Sequence, residues 1–150
     1  MNIFKLFRSE EIELTGQWRG HYGYGSQYSD SVRQKTVTFI VDIVADQNSF
    51  KGSIKEDETG IPEIATIEGT LARKRILFTK TYQNRYSLDQ TGERFIDKGP
   101  QYVRYVGIYD RSKNKFTGFW EIDTKYIFED GKVKNYTSRG HWEMLRTIPS

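Results

Sequence analysis

Residues 14–25, LTGQWRGHYGYG, place a tryptophan between two glycines and follow it with alternating tyrosines. The chain has three tryptophans, and each stands two positions after a glycine: Gly16 with Trp18, Gly118 with Trp120, and Gly140 with Trp142. Side chains two positions apart lie on the same face of a β-strand, so each tryptophan shares its face with its glycine. Glycine in a strand marks a bend or a close approach, and on the inner face it leaves room for an indole. The repeated pair predicts a small, sharply coiled barrel with aromatic side chains inside.

Short runs of alternating apolar and polar residues, separated by glycine and Asx clusters, predict eight strands. In the clearest run Val37, Phe39, Val41 and Ile43 share one face. The predicted strands cover about 14–24, 35–45, 50–55, 64–72, 75–82, 101–110, 115–122 and 135–145. Such a series is typical of an up-and-down barrel or a sandwich. Tryptophans on the first and last strands favour the barrel, because pairing these two strands removes the exposed edges.

The expected fold class is therefore all-β: an eight-stranded antiparallel up-and-down closed β-barrel. No shift of composition marks a second domain, so all 150 residues are expected to form one domain.

Residues 83–100, QNRYSLDQTGERFIDKGP, are too many for an ordinary turn. Three interpretations stay open for this segment: a lid, an extra hairpin around the DQTG sequence, and a solvated connection.

The composition of the chain argues against cysteine-dependent sites and against secretory and membrane-spanning segments. The chain has no cysteine, which rules out disulfides, thiolate catalysis and cysteine-based metal sites. Its formal net charge is +3, too small an excess to argue for nucleic acid. The apolar residues of the first seven positions are interrupted by Lys5, unlike a secretory signal, and no run of about 20 apolar residues predicts a membrane span. We expect a cytoplasmic protein.

The Gly16-x-Trp18 pattern on the first strand, after a short N-terminal segment, resembles the calycin superfamily of lipocalins, fatty-acid-binding proteins and avidin-like barrels. In lipocalins an arginine of the last strand packs over that tryptophan, and Arg146, which shares the face of Trp142, is the residue here that matches in type and place. The resemblance implies that residues 1–13 close the barrel bottom, with Ile3, Phe4, Leu6 and Phe7 as the apolar contacts. Trp18, Trp142 and Arg146 are predicted to close and stiffen that end.

Catalytic and metal-binding constellations are not recognisable in the sequence. The two histidines, His21 and His141, are predicted to face outward on paired strands near Glu143. A metal site or a pH switch there is weighed against ordinary surface neighbours, and the second interpretation is favoured because no ligand motif is present. We expect no covalent chemistry, no metal and no cofactor.

Tyrosines offer an apolar ring and a hydroxyl, which suits a cavity that orients a planar or partly apolar molecule. An eight-stranded barrel is wide enough to be filled by side chains or to hold one small ligand. Both outcomes stay open for the aromatic residues toward the open end. The predicted ligand-binding residues are Tyr22, Tyr24, Tyr105, Tyr109, Trp120 and Tyr136.

Two binding functions of another class compete with the small-molecule cavity. The stretches KTYQNRY, QYVRY and KYIFEDGKVKNY interleave basic and aromatic residues, as single-strand nucleic-acid binders do. Acidic residues interrupt them, and eight strands exceed the five of an OB-fold. The other alternative is a protein-interaction module, and homo-oligomer formation is compatible with either function.

Overall fold

A computed structural model of the protein describes residues 12–147, and for Tyr126 it describes the backbone alone. The segment 1–11, which carries the predicted closing residues Ile3, Phe4, Leu6 and Phe7, lies outside the described residues. Eight strands and a one-turn helix make up the described chain. They are β1 (Gly16–Tyr24), α1 (Asp30–Arg33), β2 (Thr36–Asp46), β3 (Ser49–Glu56), β4 (Ala65–Ala72), β5 (Arg75–Leu88), β6 (Arg94–Asp110), β7 (Lys115–Ile127) and β8 (Val133–Arg146).

The eight strands form one closed barrel in chain order, and every neighbouring pair is antiparallel. The ring closes where β1 pairs with β8, from Trp18 opposite Arg146 to Tyr24 opposite Gly140. This confirms the predicted up-and-down barrel with first-to-last closure. Because each strand has two partners, no strand in the ring is left as a free edge.

Alternation along the strands separates the core from solvent as predicted. In β2 the side chains of Val37, Phe39, Val41 and Ile43 are buried, while Thr36, Thr38 and Asp42 are exposed. Trp18, Trp120 and Trp142 are all buried inside the barrel. Two charged residues at inward positions, Lys80 and Glu56, are also buried, which the sequence analysis did not predict.

Residues 83–100 form a hairpin, so the solvated-connection interpretation is wrong and the hairpin around DQTG is correct. β5 and β6 continue past the barrel wall and pair as far as Leu88 opposite Arg94. The Asp89 carboxylate closes the turn by accepting hydrogen bonds from the amides of Thr91 and Glu93, both at 2.9 Å. The register shifts between Tyr82 and Asn84, which bends the hairpin where it leaves the barrel.

The glycine of each glycine–tryptophan pair makes room for a neighbouring strand rather than for its own tryptophan. A Cβ on Gly140 would collide with the indole of Trp120 on β7 and with the Gly23 carbonyl on β1. A Cβ on Gly16, whose φ is +131°, would lie 2.8 Å from Nη1 of Arg146. Gly140 thus lets β7 and β1 approach β8 closely, whereas Gly118 makes room for the backbone of β6.

Replacing Gly140 with alanine is expected to lower the free energy of unfolding by about 1–3 kcal/mol, because the methyl group overpacks the β7–β8–β1 contact. The emission of Trp120 should shift as its indole is displaced. Urea unfolding followed by circular dichroism and by tryptophan fluorescence measures both effects. Asn135→Ala, at an exposed position earlier on the same strand, is the control. Equal stabilities of the two variants would contradict the steric account.

Candidate functional site

A cavity of about 80 Å³ opens at the barrel end where β1, β3, β5 and β7 finish. Six of the ten tyrosines of the chain line it. The remaining lining side chains come mainly from the β5–β6 hairpin, from β7 and from the β3–β4 connection. The lining residues are Tyr22, Tyr24, Tyr28, Ile61, Lys80, Tyr82, Tyr86, Ser87, Leu88, Arg94, Gln101, Val103, Tyr105, Trp120 and Ile122.

Four of the predicted ligand-binding residues meet at this cavity: Tyr22, Tyr24, Tyr105 and Trp120. The Trp120 ring centroid lies 5.8 Å from that of Tyr24 and 6.3 Å from that of Tyr22, both in edge-to-face geometry. Trp120 Nε1 donates to the carbonyl of Gly23 at 2.8 Å, which fixes the indole plane. These residues therefore form an aromatic wall whose orientation is fixed by ring contacts and by the hydrogen bond of Trp120.

Tyr109 and Tyr136, the other two predicted ligand-binding residues, lie away from the cavity. Tyr109 packs on Phe116 at the opposite end of the barrel, with 4.9 Å between the ring centroids. Tyr136 is 41% exposed, because the first residues of β8 extend beyond the barrel body and have no core to face. The alternation of side chains predicted which face of its strand each tyrosine occupies, but not how far along the barrel axis the tyrosine lies.

An ion pair between Lys80 and Glu56 lies at the floor of the cavity. Lys80 Nζ is 3.4 Å from Oε2 of Glu56, and both side chains are at most 2% exposed. Glu56 also accepts hydrogen bonds from the hydroxyls of Tyr22 and Tyr82 and from the amide of Ile61. The carboxylate thus has four donors, which a buried charge needs.

Three aromatic rings surround the ammonium group of Lys80. Its Nζ lies 4.6 Å from the ring centroid of Tyr22, 4.8 Å from that of Tyr82 and 5.1 Å from that of Tyr105. Ring faces attract cations at these distances, and more strongly when water is excluded. The cage and Glu56 together hold a positive charge inside the barrel.

Burial shifts the pKa values of these groups in the directions expected for desolvation. It raises the pKa of Tyr22, Tyr82 and Tyr105 well above the ordinary value, and the nearby Glu56 carboxylate adds to the effect. The three phenols are therefore protonated at neutral pH, so Tyr22 and Tyr82 can donate to Glu56. Burial lowers the pKa of Lys80, while the charge of Glu56 opposes that shift.

Sequence reasoning missed Lys80 and Glu56, although a signal for both is present. Lys80 lies between Phe78 and Tyr82 in the inward alternation of β5. Glu56 continues the inward series of Phe50 and Ile54 in β3. Each of the two strands therefore shows one charge at an inward position, although alternation alone does not show that the two charges meet.

Residues 25–35 and the tip of the β5–β6 hairpin meet over the cavity end. The hydroxyls of Ser29 and Ser31 both donate to the carbonyl of Gln90 at 2.9 Å. Arg94, at the rim, donates to the carbonyl of Thr59 at 3.1 Å. The hairpin tip is therefore the candidate lid, tied to neighbouring loops by a few hydrogen bonds near the surface.

The opposite end of the barrel contains two of the three predicted closing residues. The guanidinium carbon of Arg146 lies 4.7 Å from the centroid of the Trp18 ring, and its Nη1 donates to the Thr15 carbonyl at 3.0 Å. Trp142 lies higher, in the middle of the barrel, against Tyr105 and Phe78 with 5.5 Å between the ring centroids in each case. The prediction that Trp142 closes the bottom is therefore wrong in position. Trp142 lies four residues before Arg146 on β8, which places it away from the barrel end that Arg146 occupies.

The histidines are on the outer wall. His21 Nε2 lies 3.5 Å from Oε1 of Glu143, whose other oxygen accepts from Lys115 at 2.8 Å. The hydrogen bond from Lys115 lowers the pKa of Glu143. Among residues 12–147 no group of three or more histidine, aspartate or glutamate residues is placed to hold a metal ion.

A shallow depression of about 550 Å³ lies on the same outer wall, beside exposed Phe119 and Ile108. It is larger than the barrel cavity, but most of its lining residues face outward on an open surface, with Trp142 as the inward exception. It has no convergent set of buried polar groups, which the cavity has. The cavity is therefore the better candidate site.

No protein-family model matches the chain, and a search of curated proteins found no significant match. Among solved structures, the chain is similar to the crystal structure of rhizavidin, with 12% sequence identity and a TM-score of 0.45. The similarity covers 88% of this chain and 85% of that one. The described strands form a closed eight-stranded antiparallel meander, the architecture that the sequence predicted. No helix in the described part of the chain is long and apolar enough to cross a membrane.

Proposed function

We propose that the barrel binds one small, planar or partly apolar molecule non-covalently in its tyrosine-lined cavity. The observation that carries the proposal is the combination of an aromatic wall, Tyr24 and Trp120, with a polar floor, Lys80 and Glu56, at an accessible barrel end. Apolar walls with a few convergent polar groups are the usual composition of a small-molecule site.

The size of the cavity limits the ligand. Sites that enclose drug-sized molecules are about 300–1,000 Å³, whereas this cavity is about 80 Å³. A single planar ring or a short chain therefore fits without rearrangement. A larger ligand requires the tip of the β5–β6 hairpin to move away from Ser29 and Ser31.

Charge favours a ligand that carries a hydrogen-bond acceptor. Lys80 and Arg94 are the charged side chains that line the cavity. Lys80 is neutralised by Glu56, but among the described residues Arg94 has one hydrogen bond to a carbonyl and no ion pair. A carboxylate or carbonyl group of a ligand at the cavity mouth would accept hydrogen bonds from the remaining N–H donors of Arg94.

The nucleic-acid alternative receives less support from the placement of charge. Arg104, in the QYVRY stretch, is paired with Glu121 at 2.9 Å and with Asp123 at 2.7 Å. Arg139 is paired with the same Glu121 at 2.9 Å. Such pairing offsets the positive charge that a phosphate backbone needs on this wall. The interaction-module and homo-oligomer interpretations stay predictions, as does the cytoplasmic location.

Native mass spectrometry of the purified protein, compared with its denatured mass, is the first test. We expect a reproducible small adduct that is lost on denaturation. Binding of single-stranded oligonucleotide with strong salt dependence, together with a clean apo mass, would instead favour the nucleic-acid alternative.

Benzoate, a planar ring with a carboxylate, is a probe that matches the cavity in size and charge. We expect Arg94→Gln to weaken benzoate binding by about 10-fold, because a charge-assisted hydrogen bond contributes about 1.5–3 kcal/mol. Arg75→Gln, at the start of β5 on the other end of the barrel, is the matched control and should leave affinity unchanged. Isothermal titration calorimetry measures both affinities. A loss of equal size in the two variants would indicate a general charge effect rather than contact at the mouth.

A further inference from the structure

Lys80 is a primary amine on the wall of a cavity otherwise built largely from aromatic rings. Its residue is 1% exposed overall, and it contributes to the cavity lining. Non-covalent binding of a planar ligand does not by itself require an amine at this depth. Burying a lysine also costs free energy unless its charge is compensated.

The surroundings of Nζ leave part of its bonding capacity unused. An ammonium group has three N–H donors. One points to Glu56 at 3.4 Å, and the ring faces of Tyr22, Tyr82 and Tyr105 surround the rest without accepting conventional hydrogen bonds. A ligand atom that enters the cavity can therefore meet Nζ.

We propose that Lys80 captures a small planar aldehyde as a reversible protonated imine inside the barrel. The inference rests on the proposed function, since the aldehyde must first occupy the cavity, and it extends that function from non-covalent to covalent binding.

The reaction balances with the groups that are present. Glu56 takes one proton from the ammonium group of Lys80, and the freed nitrogen lone pair attacks the aldehyde carbon to give a carbinolamine. Glu56 returns that proton to the former carbonyl oxygen, and then carries a second proton from the nitrogen to the same oxygen. The C–O bond breaks, water leaves, and the nitrogen lone pair forms the C=N bond while Glu56 is again a carboxylate. The product is an iminium ion in which nitrogen is doubly bonded to the former carbonyl carbon. Ammonium plus aldehyde therefore becomes iminium plus water, with no oxidant or reductant.

The charge in the cage is the same before and after the reaction. The iminium nitrogen keeps Glu56 as its counter-ion and keeps the aromatic rings that attract a cation. Desolvation of an amine in an apolar pocket is also a recognised way to activate lysine for imine formation. Burial lowers the pKa of Lys80, which raises the fraction of neutral amine relative to a surface lysine.

Surface lysines provide an internal comparison within the same chain. Lys51 is exposed on the outer face of β3, and Lys115 is half-buried and paired with Glu143 at 2.8 Å. Neither is placed in an aromatic cage among the described contacts. An aldehyde that reacts by solution chemistry alone should label such lysines in preference to a buried one.

The test is trapping of the imine by reduction. The intact protein is incubated near neutral pH with less than one equivalent of benzaldehyde and sodium cyanoborohydride, and the benzylated lysine is located by peptide mass spectrometry. We expect Lys80 to carry most of the label in the folded protein, and the label to spread over the surface lysines when the same reaction is run in urea. Lys80→Arg keeps the charge but cannot form the imine, and should lose the dominant label.

Benzyl alcohol, a ring of similar size without the aldehyde, separates this inference from the proposed function. If benzyl alcohol perturbs the Trp120 indole N–H signal by NMR while benzaldehyde labels surface lysines alone, the imine proposal is overturned and the cavity stands. If benzyl alcohol does not bind and Lys80 is not labelled, both proposals fail. Protection of Lys80 from labelling by excess benzyl alcohol supports both.

Discussion

Replacing Lys80 with methionine (K80M) is expected to lower the free energy of unfolding by about 3–5 kcal/mol. Methionine is unbranched, apolar and only one atom shorter than lysine, so little of the loss arises from a cavity. It arises because the Glu56 carboxylate, whose side chain is 0% exposed, loses its counter-charge. Removing one partner of a buried ion pair leaves an uncompensated charge in a medium that solvates it poorly.

Urea unfolding followed by far-ultraviolet circular dichroism measures the effect. Lys51→Met makes the same chemical change on the outer face of β3 and should alter stability by less than about 0.5 kcal/mol. If K80M proved as stable as the wild type, the buried ion pair at the cavity floor would be refuted.

A double-mutant cycle separates the ion pair from the other bonds of Glu56. The amide side chain introduced by E56Q retains an oxygen that can accept from Tyr22 or Tyr82, so this change removes mainly the charge. We expect E56Q to cost less in the K80M background than in the wild type, with a coupling of about 0.5–3 kcal/mol. Additive effects would mean that Glu56 is held by the tyrosine hydroxyls and not by Lys80.

The barrel could be predicted from the sequence because its determinants are local. Alternation in β2, from Val37 to Ile43, assigns one face to the core without knowledge of any partner strand. Glycine–tryptophan pairs on the first and last strands indicated where the ring closes, and β1 does pair with β8 there. Four of the six predicted ligand-binding residues then met at one cavity, since they share the inner face toward one end.

The parts of the site that the sequence did not predict depend on the register between strands, which the alternation of apolar and polar residues does not provide. Tyr109 and Tyr136 have the predicted orientation along their strands, but one lies at the other end of the barrel and the other beyond its body. Lys80 and Glu56 are 24 positions apart on strands that are not neighbours. Their meeting requires the offsets of β3 against β4 and of β4 against β5 together. A single inward charge on a strand is therefore visible in the sequence, whereas its partner is not.

Replacing Trp18 with alanine (W18A) is expected to lower the free energy of unfolding by about 3–5 kcal/mol, the range typical of a large aromatic residue removed from a core. Trp18 is 2% exposed, and its ring centroid lies 5.4 Å from that of Phe116. Its Nε1 donates to the Leu14 carbonyl at 2.9 Å, so the variant also leaves that buried acceptor without its donor. Denaturant unfolding measures the loss, and a variant within about 1 kcal/mol of the wild type would contradict the closing role of Trp18.

Arg146 contributes less to the stability of this closure, and an experiment can tell whether it acts through the Trp18 ring or through its hydrogen bond to Thr15. Its guanidinium reaches both the Trp18 ring and the Thr15 carbonyl, and the residue is exposed. A cation–π contact at an exposed site contributes about 0.5–1 kcal/mol, so R146A should cost about 1 kcal/mol in all. Trp18→Leu removes the aromatic ring but keeps an apolar side chain, which makes it the better partner for a double-mutant cycle. If R146A costs less in the Trp18→Leu background than in the wild type, Arg146 acts through the ring. If the cost is the same, the hydrogen bond to Thr15 holds the end of β8 against the start of β1, and the tryptophan closes the barrel by packing alone.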